Sequence, residues 1–215
     1  MTKIGIIGSG IVAKTLGDGF IRHGYHVTLG TRFPDKLKDW AWNAGNKGNV
    51  GSVAEAAKNG EIVIAAVKGK HVVNVLTDVK DHLDNKIVVD TTNPIDDSEV
   101  PDHGVLKFFT TINRSLMEDL QEAVPKANFV KAFSCIGSHL MVNPRIAGGE
   151  KPSMFIAGNS EEAKQEVSEI LTVFGFEPED MGNVEGARAI EPLSMLWCIP
   201  GIRNDQWIHA FKLLK

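Results

Sequence analysis

A glycine-rich hexapeptide near the amino terminus has the residue types and spacing of a phosphate-binding loop. Residues Gly8–Ala13, GSGIVA, match G-x-G-x-x-A directly after the apolar run KIGII. Gly8 permits a tight turn, Gly10 lets a phosphate approach the backbone, and Ala13 lets the next helix pack close to its strand. The free N–H groups at that helix start attract anions. A turn without a ligand is the alternative, but the strand–loop–helix context predicts a dinucleotide site.

A second group of residues indicates which dinucleotide is bound. The stretch after the next apolar run reads GTRFPDK and places Thr31, Arg32 and Lys36 where NAD-binding chains carry an acid. Arg32 can donate a planar fork of charged hydrogen bonds to a 2′-phosphate, and Lys36 adds a point charge. Thr31 can add its hydroxyl and its backbone N–H. A solvated basic loop is the alternative, and the motif upstream favours NADP(H).

The elements that must position these residues follow from the hydrophobic pattern. The sequence predicts strands over 3–8, 25–30, 61–67, 86–92, 128–134 and 152–158, and helices over 11–23, 34–42, 52–60, 71–83 and 161–174. Their alternation predicts an α/β fold, a Rossmann-type doubly wound parallel sheet. Residues 1–186 form the NADP-binding domain, and residues 187–215 form a short C-terminal helical extension that packs on it and breaks at Pro200-Gly201.

Composition excludes several classes of protein. The 215 residues are 43% apolar and 23% charged with a net charge of −4, which is typical of a globular protein and not of a nucleic-acid-binding one. No apolar run reaches the ~20 residues of a membrane span. A strand pattern begins at once, without an export signal, so we expect a cytoplasmic protein that binds no membrane. Cys135 and Cys198 are expected to be reduced core thiols, and no residues are spaced as metal ligands.

Several further stretches carry a resemblance to a known family. They are AAVKGKH (65–71), DTTNP (90–94), VKAFS (130–134) and ARAIEPLSML (187–196), in which Arg188 and Glu191 form an R-x-x-E pattern. With the glycine loop and GTR plus Lys36, the chain resembles the F420-dependent NADP oxidoreductase family over nearly its full length. That family also supplies the cytosolic reductase domain of the mammalian six-transmembrane metalloreductases.

The resemblance implies a single Rossmann-type domain, often dimeric, that moves a hydride between NADPH and a deazaflavin or flavin ring. It also implies roles for individual residues. The residues expected to hold the pyrophosphate are Ser9, Gly10, Ile11 and Val12. Those expected to hold the 2′-phosphate are Thr31, Arg32 and Lys36. The rest of the cofactor is expected to contact Val67, Lys68 and His71, with Asn93 and Ser138 nearer the nicotinamide.

The chain departs from the family on the acceptor side. Archaeal deazaflavin reductases carry Ile-Pro-Trp after the fourth strand, where this chain has Val67-Lys68-Gly69. They carry a histidine after the VKAF-like strand, where this chain has Ser134-Cys135. The nucleotide half of the pattern is therefore better preserved than the acceptor half.

Candidates for the chemistry are side chains near strand ends. Hydride transfer between rings needs positioning and a counter-charge for the reduced ring rather than a nucleophile. Lys68, His71, Ser134 and His139 are the candidates for that charge or hydrogen bond. The alternatives are a solvated lysine and ordinary hydrogen-bonded histidines. Lys68-Gly69 and the segment 134–139 are expected to flank the acceptor ring, with Gly69 leaving room for it to stack.

Three functions remain open on the sequence. The first is an NADPH-dependent reductase whose small-molecule acceptor is F420, FMN or FAD. The second is a dehydrogenase or imine reductase of a small non-aromatic substrate, although such enzymes usually add a large helical domain for which about 40 residues are too few. The third is a non-catalytic NADP sensor. A homodimer is expected from the apolar residues of the C-terminal stretch, which are Trp197, Ile199, Ile202, Trp207, Ile208 and Phe211.

Overall fold

The computed structural model describes residues 2–146 and 148–215, and its centre is a parallel sheet of six strands. The spatial order is β3-β2-β1-β4-β5-β6, so the topology reverses between β1 and β4. The strand bounds are β1 Lys3–Ile7, β2 His26–Gly30, β3 Gly48–Gly51, β4 Ile62–Ala65, β5 Ile87–Asp90 and β6 Asn128–Lys131. This order is that of a Rossmann fold, and the predicted fold class is confirmed.

Helices cover both faces of this sheet. Their bounds are α1 Ile11–Arg22, α2 Lys38–Ala44, α3 Val53–Asn59, α4 Gly69–Thr77, α5 Leu116–Ala123, α6 Glu161–Val173 and α7 Ala187–Asn204. The apolar stripe of α1, including Leu16 and Phe20, is fully buried against the sheet on one face. On the other face, Val72 and Leu76 of α4 pack with Leu120 of α5. The sheet is therefore buried on both sides, which accounts for the continuous apolar runs of its strands.

The register aligns the carboxyl ends of the strands. Ile7 is level with Gly30 on one side and with Ala65 on the other, and the row continues through Asp90 to Lys131. The loops that follow these strands begin at the same edge of the sheet. Residues far apart in the sequence therefore meet there, as ligand sites of open parallel sheets require.

Three elements are absent from the sequence prediction. Strand β3 is short and begins and ends with glycine, and β8, Glu177–Asp180, is built from EPED, which is atypical of a strand. Helix α5 carries a capping box, in which Ser115 accepts from the Glu118 N–H and Glu118 accepts from the Ser115 N–H. This signal was present in the sequence. Among the predicted elements, the capping box of Ser52 and Glu55 on α3 is also present.

The C-terminal region differs from the prediction in two respects, and the first concerns helix α7. Helix α7 does not break at Pro200-Gly201 but continues through Pro192 and Pro200 to Asn204. Each proline costs the helix one hydrogen bond and crowds the carbonyl one turn earlier, but the buried side chains of Ile190 and Trp197 hold the helix against the domain. The helix ends at Asp205, because the φ of this residue, 54°, lies in the left-handed region.

The residues after α7 form neither a helix nor a strand. The Ser153 N–H of β7, Ser153–Ile156, donates to the Phe211 carbonyl at 2.9 Å, and the Leu213 N–H donates to Ser153 Oγ at 3.0 Å. Strand β7 pairs with β8 in a small second sheet. Trp197 is buried, whereas Ile202 and Ile208 are exposed. The homodimer stays a prediction. In the described part of the chain, no helix has the length and apolarity to cross a membrane.

A buried charge cluster joins the last two strands of the large sheet to α5 and α7. Lys131 has no solvent exposure, and its Nζ donates to Asp90 Oδ2 and Glu191 Oε1 at 2.8 Å each and to the Thr92 carbonyl at 2.7 Å. Burial works to lower the pKa of Lys131, but the charges of Asp90 and Glu191 outweigh it and raise that pKa. The two oxygens of Glu191 also accept from the N–H groups at the start of α5.

We expect Lys131→Met to destabilise the fold by about 3–5 kcal/mol, because it leaves two buried carboxylates without their cation. Lys126→Met is the matched control, since Lys126 forms a 2.7 Å ion pair with Asp84 while its side chain is 70% exposed. That variant should cost far less, because an exposed ion pair contributes little to stability. Urea denaturation measures both, and equal losses would contradict a structural role for the cluster.

Candidate dinucleotide-binding cleft

A cleft of about 730 Å³ lies at the carboxyl ends of the parallel strands. Its walls are the loop between β1 and α1, the residues after β2, the start of α4 and the residues after β5. The predicted cofactor residues on these walls are Gly8, Ser9, Gly10, Ile11, Val12, Thr31, Arg32, Val67, Lys68, His71 and Asn93. The structure therefore brings most of the predicted set together. Lys36 and Ser138 are not on the walls.

The two glycines of the loop have different surroundings. Gly8 has a φ of 151°, and a Cβ there would lie 2.3 Å from the Ala66 carbonyl oxygen. Gly10 has an ordinary φ of −78°, and a Cβ there would meet nothing within 4 Å. Among the described residues no side chain caps α1, which starts at Ile11 with its side chain 68% exposed on the cleft wall. The space above Gly10 and these N–H groups can receive a pyrophosphate.

A basic corner, defined here as Thr31, Arg32, Phe33 and Lys36, lies after β2. Arg32 Cζ is 5.9 Å and Lys36 Nζ is 4.8 Å from the centroid of the Phe33 ring, and the ring is 56% exposed. Lys36 thus lies next to the cleft wall through its contact with Phe33, a wall residue that the sequence prediction did not include.

The expected role of Thr31 changes in one detail. Its backbone N–H was expected to be free for a phosphate, but it donates to the Gly51 carbonyl of β3 at 3.0 Å. Its Oγ1 accepts from the Phe33 N–H at 3.2 Å, so the hydroxyl proton is what Thr31 can offer a ligand. The unpredicted strand β3 is the reason for this difference.

Two lysines at the start of α4 share one carboxylate on the cleft wall. Lys68 Nζ and Lys70 Nζ each lie 2.6 Å from Asp97, on separate oxygens. Their hydrogen bonds lower the pKa of Asp97 to about 2, so this carboxyl stays ionised at neutral pH. Asp97 is on the cleft wall. The sequence does not indicate this pairing, because Asp97 is 29 and 27 residues away from the two lysines along the chain.

Gly69 does not leave space for a stacked ring. A Cβ at this position would lie 2.0 Å from the Asn93 carbonyl oxygen, so the missing side chain allows α4 to approach the segment after β5. The expected role of Gly69 is wrong for this reason. Its consequence is a close contact between two of the cleft walls.

The segment after β5 is held by the buried cluster. Asp90 Oδ1 accepts from the Thr92 N–H at 2.9 Å and from the Thr92 hydroxyl at 2.7 Å. The next residue, Asn93, donates through Nδ2 to the Ser134 carbonyl at 2.7 Å. Asn93 Oδ1 and Ser134 Oγ are the buried side-chain polar atoms without a partner in the described residues. The loops after β5 and β6 thus each contain one polar side-chain atom without a hydrogen-bond partner.

The remaining candidates lie in different places. His71 is exposed on the cleft wall. Ser134 is buried behind Asn93 and is not on the wall. His139 is exposed, and its Nε2 donates to the Trp207 carbonyl at 3.0 Å, which ties it to the C-terminal segment instead of the cleft. The sequence could not show this, because the path of residues 205–215 has no periodic signal.

Neither cysteine is suited to nucleophilic chemistry. Burial raises the pKa of Cys135 to about 12 and raises that of half-buried Cys198. Both are free thiols, as expected. Within residues 2–146 and 148–215, no group of three or more His, Cys, Asp or Glu side chains could hold a metal ion.

Comparisons with known proteins agree with this geometry. Residues 3–94 match the family described as NADP oxidoreductase, coenzyme F420-dependent. A crystal structure of a candidate F420-dependent NADP reductase from Arthrobacter sp. FB24 superposes with a TM-score of 0.92 at 30% identity, covering 100% of both chains.

Two curated proteins extend the comparison. Metalloreductase STEAP3 of Rattus norvegicus is 32% identical over 206 residues, which cover 92% of this chain and 38% of that protein. The F420-dependent NADP reductase of Methanocaldococcus jannaschii is 27% identical over 143 residues, which cover 66% of this chain and 62% of that protein. The chain thus spans less than two thirds of the length of either relative.

We expect Gly10→Val to abolish NADPH binding without unfolding the protein. The branched side chain fills the open space above the loop, while its backbone angle suits any residue. Gly8→Val is the contrasting variant and should destabilise the fold, because its Cβ meets the Ala66 carbonyl. Circular dichroism and calorimetric titration check both. A folded Gly10→Val variant with normal affinity would show that the cofactor does not lie on this loop.

Proposed function

The chain belongs to the F420-dependent NADP oxidoreductase family, and from this premise we propose that it transfers a hydride between NADP(H) and the ring of F420 or a flavin. The observation that carries the proposal is that one cleft is lined by the glycine loop, the basic corner and the residues after β4 and β5. It crosses the point where the strand order reverses, which is where open parallel sheets bind dinucleotides.

The residues present fit NADP(H). Gly10 leaves an unfilled cradle beside the start of α1, where N–H groups favour a pyrophosphate. Arg32 and Lys36 both lie over the exposed Phe33 ring, and neither has a carboxylate partner among the described residues. A 2′-phosphate would supply the missing negative charge, and Phe33 offers an apolar face to the adenine.

NADPH, when bound, supplies the hydride, and the protein supplies position and charge. Ile11, Val67 and Ile95 give the cleft apolar walls that exclude water from the rings. Lys68 and Lys70 on the cleft wall carry two positive charges against the single negative charge of Asp97. Their excess positive charge can offset the negative charge that a ring gains with a hydride. The overall step consumes one NADPH, one proton and one oxidised ring and yields NADP+ and the two-electron reduced ring.

One further observation favours a ring over a carbonyl or an imine. Asp97, the carboxyl on the cleft wall, is held ionised by two lysines and so cannot serve as a general acid at neutral pH. F420 is placed ahead of the flavins on family membership. A dehydrogenase of small non-aromatic substrates is the second candidate function.

We expect the wild-type protein to bind NADPH more tightly than NADH. Arg32→Ala should remove about 1.5–3 kcal/mol of that preference, as for a charged hydrogen bond. Lys38→Ala is the matched control, because Lys38 is a nearby exposed cation that already pairs with Asp35 at 2.7 Å. Isothermal titration with both nucleotides measures the preference. Equal affinities of the wild type for NADPH and NADH would exclude this role of the basic corner.

We expect NADPH oxidation with F420, FMN or FAD as the acceptor. The assay follows the loss of NADPH absorbance with each ring, and with an aldehyde, a ketone, an imine and a ferric chelate in parallel. Reduction of the aldehyde, ketone or imine without any ring would favour the dehydrogenase. Tight NADPH binding with no acceptor reduced would leave the NADP sensor as the better description.

A further inference from the structure

The charge of the cleft wall is opposite in sign to the charge of the whole chain. The chain has a formal net charge of −4. The described residues of the wall instead include three cations, Arg32, Lys68 and Lys70, and one carboxylate, Asp97. A cleft lined by an excess of one charge concentrates ligands of the opposite charge. The cleft is therefore suited to anionic ligands.

The positive charges form two groups on opposite sides of the glycine loop. The basic corner follows β2, whereas Lys68 and Lys70 follow β4, and β1 with its glycine loop lies between these strands. NADP(H) carries phosphate at two places, the 2′ position and the pyrophosphate, and the basic corner and the glycine loop suffice for them. The nicotinamide riboside beyond them has no phosphate. The charges of the cofactor therefore leave Lys68 and Lys70 over.

The stability of α4 does not explain the two lysines either. Lys68 is the residue before the helix, Lys70 is in its first turn, and no acidic residue is present in that turn. The N–H groups at a helix start carry partial positive charge, so cations in this position oppose the helix dipole. The two lysines thus lower the stability of the helix, which indicates a role toward another molecule.

Asp97 meets only part of the hydrogen-bonding capacity of the pair. Each ammonium group has three N–H donors and gives one of them to a separate oxygen of Asp97. The other donors have no acceptor among the described residues, and the side chains of Lys68 and Lys70 are 70% and 45% exposed. A phosphate has enough oxygens to accept from both lysines while each keeps its bond to Asp97.

We propose that Lys68, Lys70 and Asp97 form an anion subsite that holds the phosphate on the side chain of the acceptor ring. FMN carries a phosphate monoester and F420 a phosphodiester on that side chain, whereas riboflavin carries neither. The substrate class is then a phosphorylated flavin or deazaflavin and not the free ring. Asp97 limits the strength of the subsite because it neutralises one of the two positive charges. This inference rests on the proposed function, since it takes the ring as the acceptor.

The main test compares FMN with riboflavin, which have the same ring and differ only in the phosphate. With either one, NADPH, a proton and the oxidised ring give NADP+ and the two-electron reduced ring. The ratio of the two kcat/KM values therefore isolates the effect of the phosphate. The wild type should favour FMN about tenfold, mainly through KM. Added salt should reduce this preference, because it screens exposed charges.

Substitutions within the subsite should change that preference in opposite directions. Lys70→Met should reduce it about three- to fivefold, and Asp97→Asn should raise it by a similar factor, because both lysines lose their internal partner. Any effect of these changes on the ring itself cancels in the ratio. Lys107→Met is the matched control and should leave the preference unchanged. Lys107 is 49% exposed and pairs with Glu99 at 2.7 Å, but it is not on the cleft wall.

Binding to the NADP+-loaded protein gives a readout that needs no turnover. Quenching of flavin fluorescence should show that FMN binds more tightly than riboflavin, and Lys70→Met should remove part of the difference. The same comparison between F420 and the phosphate-free form of its ring shows whether the deazaflavin gains as much from its phosphate. The larger gain identifies the preferred acceptor within the proposed class.

Several results would overturn the inference. Equal kcat/KM and equal Kd values for FMN and riboflavin would do so and leave ring reduction intact. If Lys70→Met weakened NADPH by the same factor as FMN, the lysines would belong to the pyrophosphate. A lower FMN preference in Asp97→Asn would mean that the ion pairs only hold the loop. If no ring is reduced but FMN still binds more tightly than riboflavin, the proposed reaction fails and the anion subsite remains. If no ring binds at all, both fail.

Discussion

The ammonium group of Lys131 at the end of β6 is the interaction on which the rest of the structure depends. A buried cation is tolerated only when its charge and its hydrogen bonds are met by protein groups, and here Asp90, Glu191 and the Thr92 carbonyl meet them. Those partners come from β5, from the loop after it and from α7. Docking of the C-terminal helix is therefore a condition for burying Lys131 at the sheet. The extension is part of the core of the domain.

The same cluster extends outward to the R-x-x-E pattern. Glu191 satisfies the first N–H groups of α5, and Arg188, one turn earlier, donates to Glu118 Oε2 at 2.9 Å. The bond to Arg188 is the main reason that the pKa of Glu118 falls to about 2. Glu118 is also the second member of the α5 capping box. One pair of side chains on α7 thus fixes both the position and the start of α5, which packs on α4 and supports the cleft wall.

The nucleotide half of the site could be predicted from sequence because its determinants are local. Gly8, Gly10 and Arg32 each act within a few residues of a strand end, and the hydrophobic runs place those ends at one edge. The rest depends on contacts between distant segments. Nothing near Thr31 indicates that its N–H is taken by Gly51, and nothing near Gly69 indicates the carbonyl of Asn93 above it. Likewise, the sequence places His139 shortly after a strand, and nothing near it indicates its hydrogen bond to the Trp207 carbonyl in the C-terminal segment.

The alignment of the strand ends also limits how the chain can change length. Ile7, Gly30, Ala65, Asp90 and Lys131 form one row. One residue inserted into a strand would move its end by about 3.3 Å and turn its buried side chains to the opposite face. The cleft edge would then be stepped, and Asp90 could no longer face Lys131. Insertions and deletions between homologues should therefore collect at the amino-terminal edge of the sheet, where no such row has to be kept.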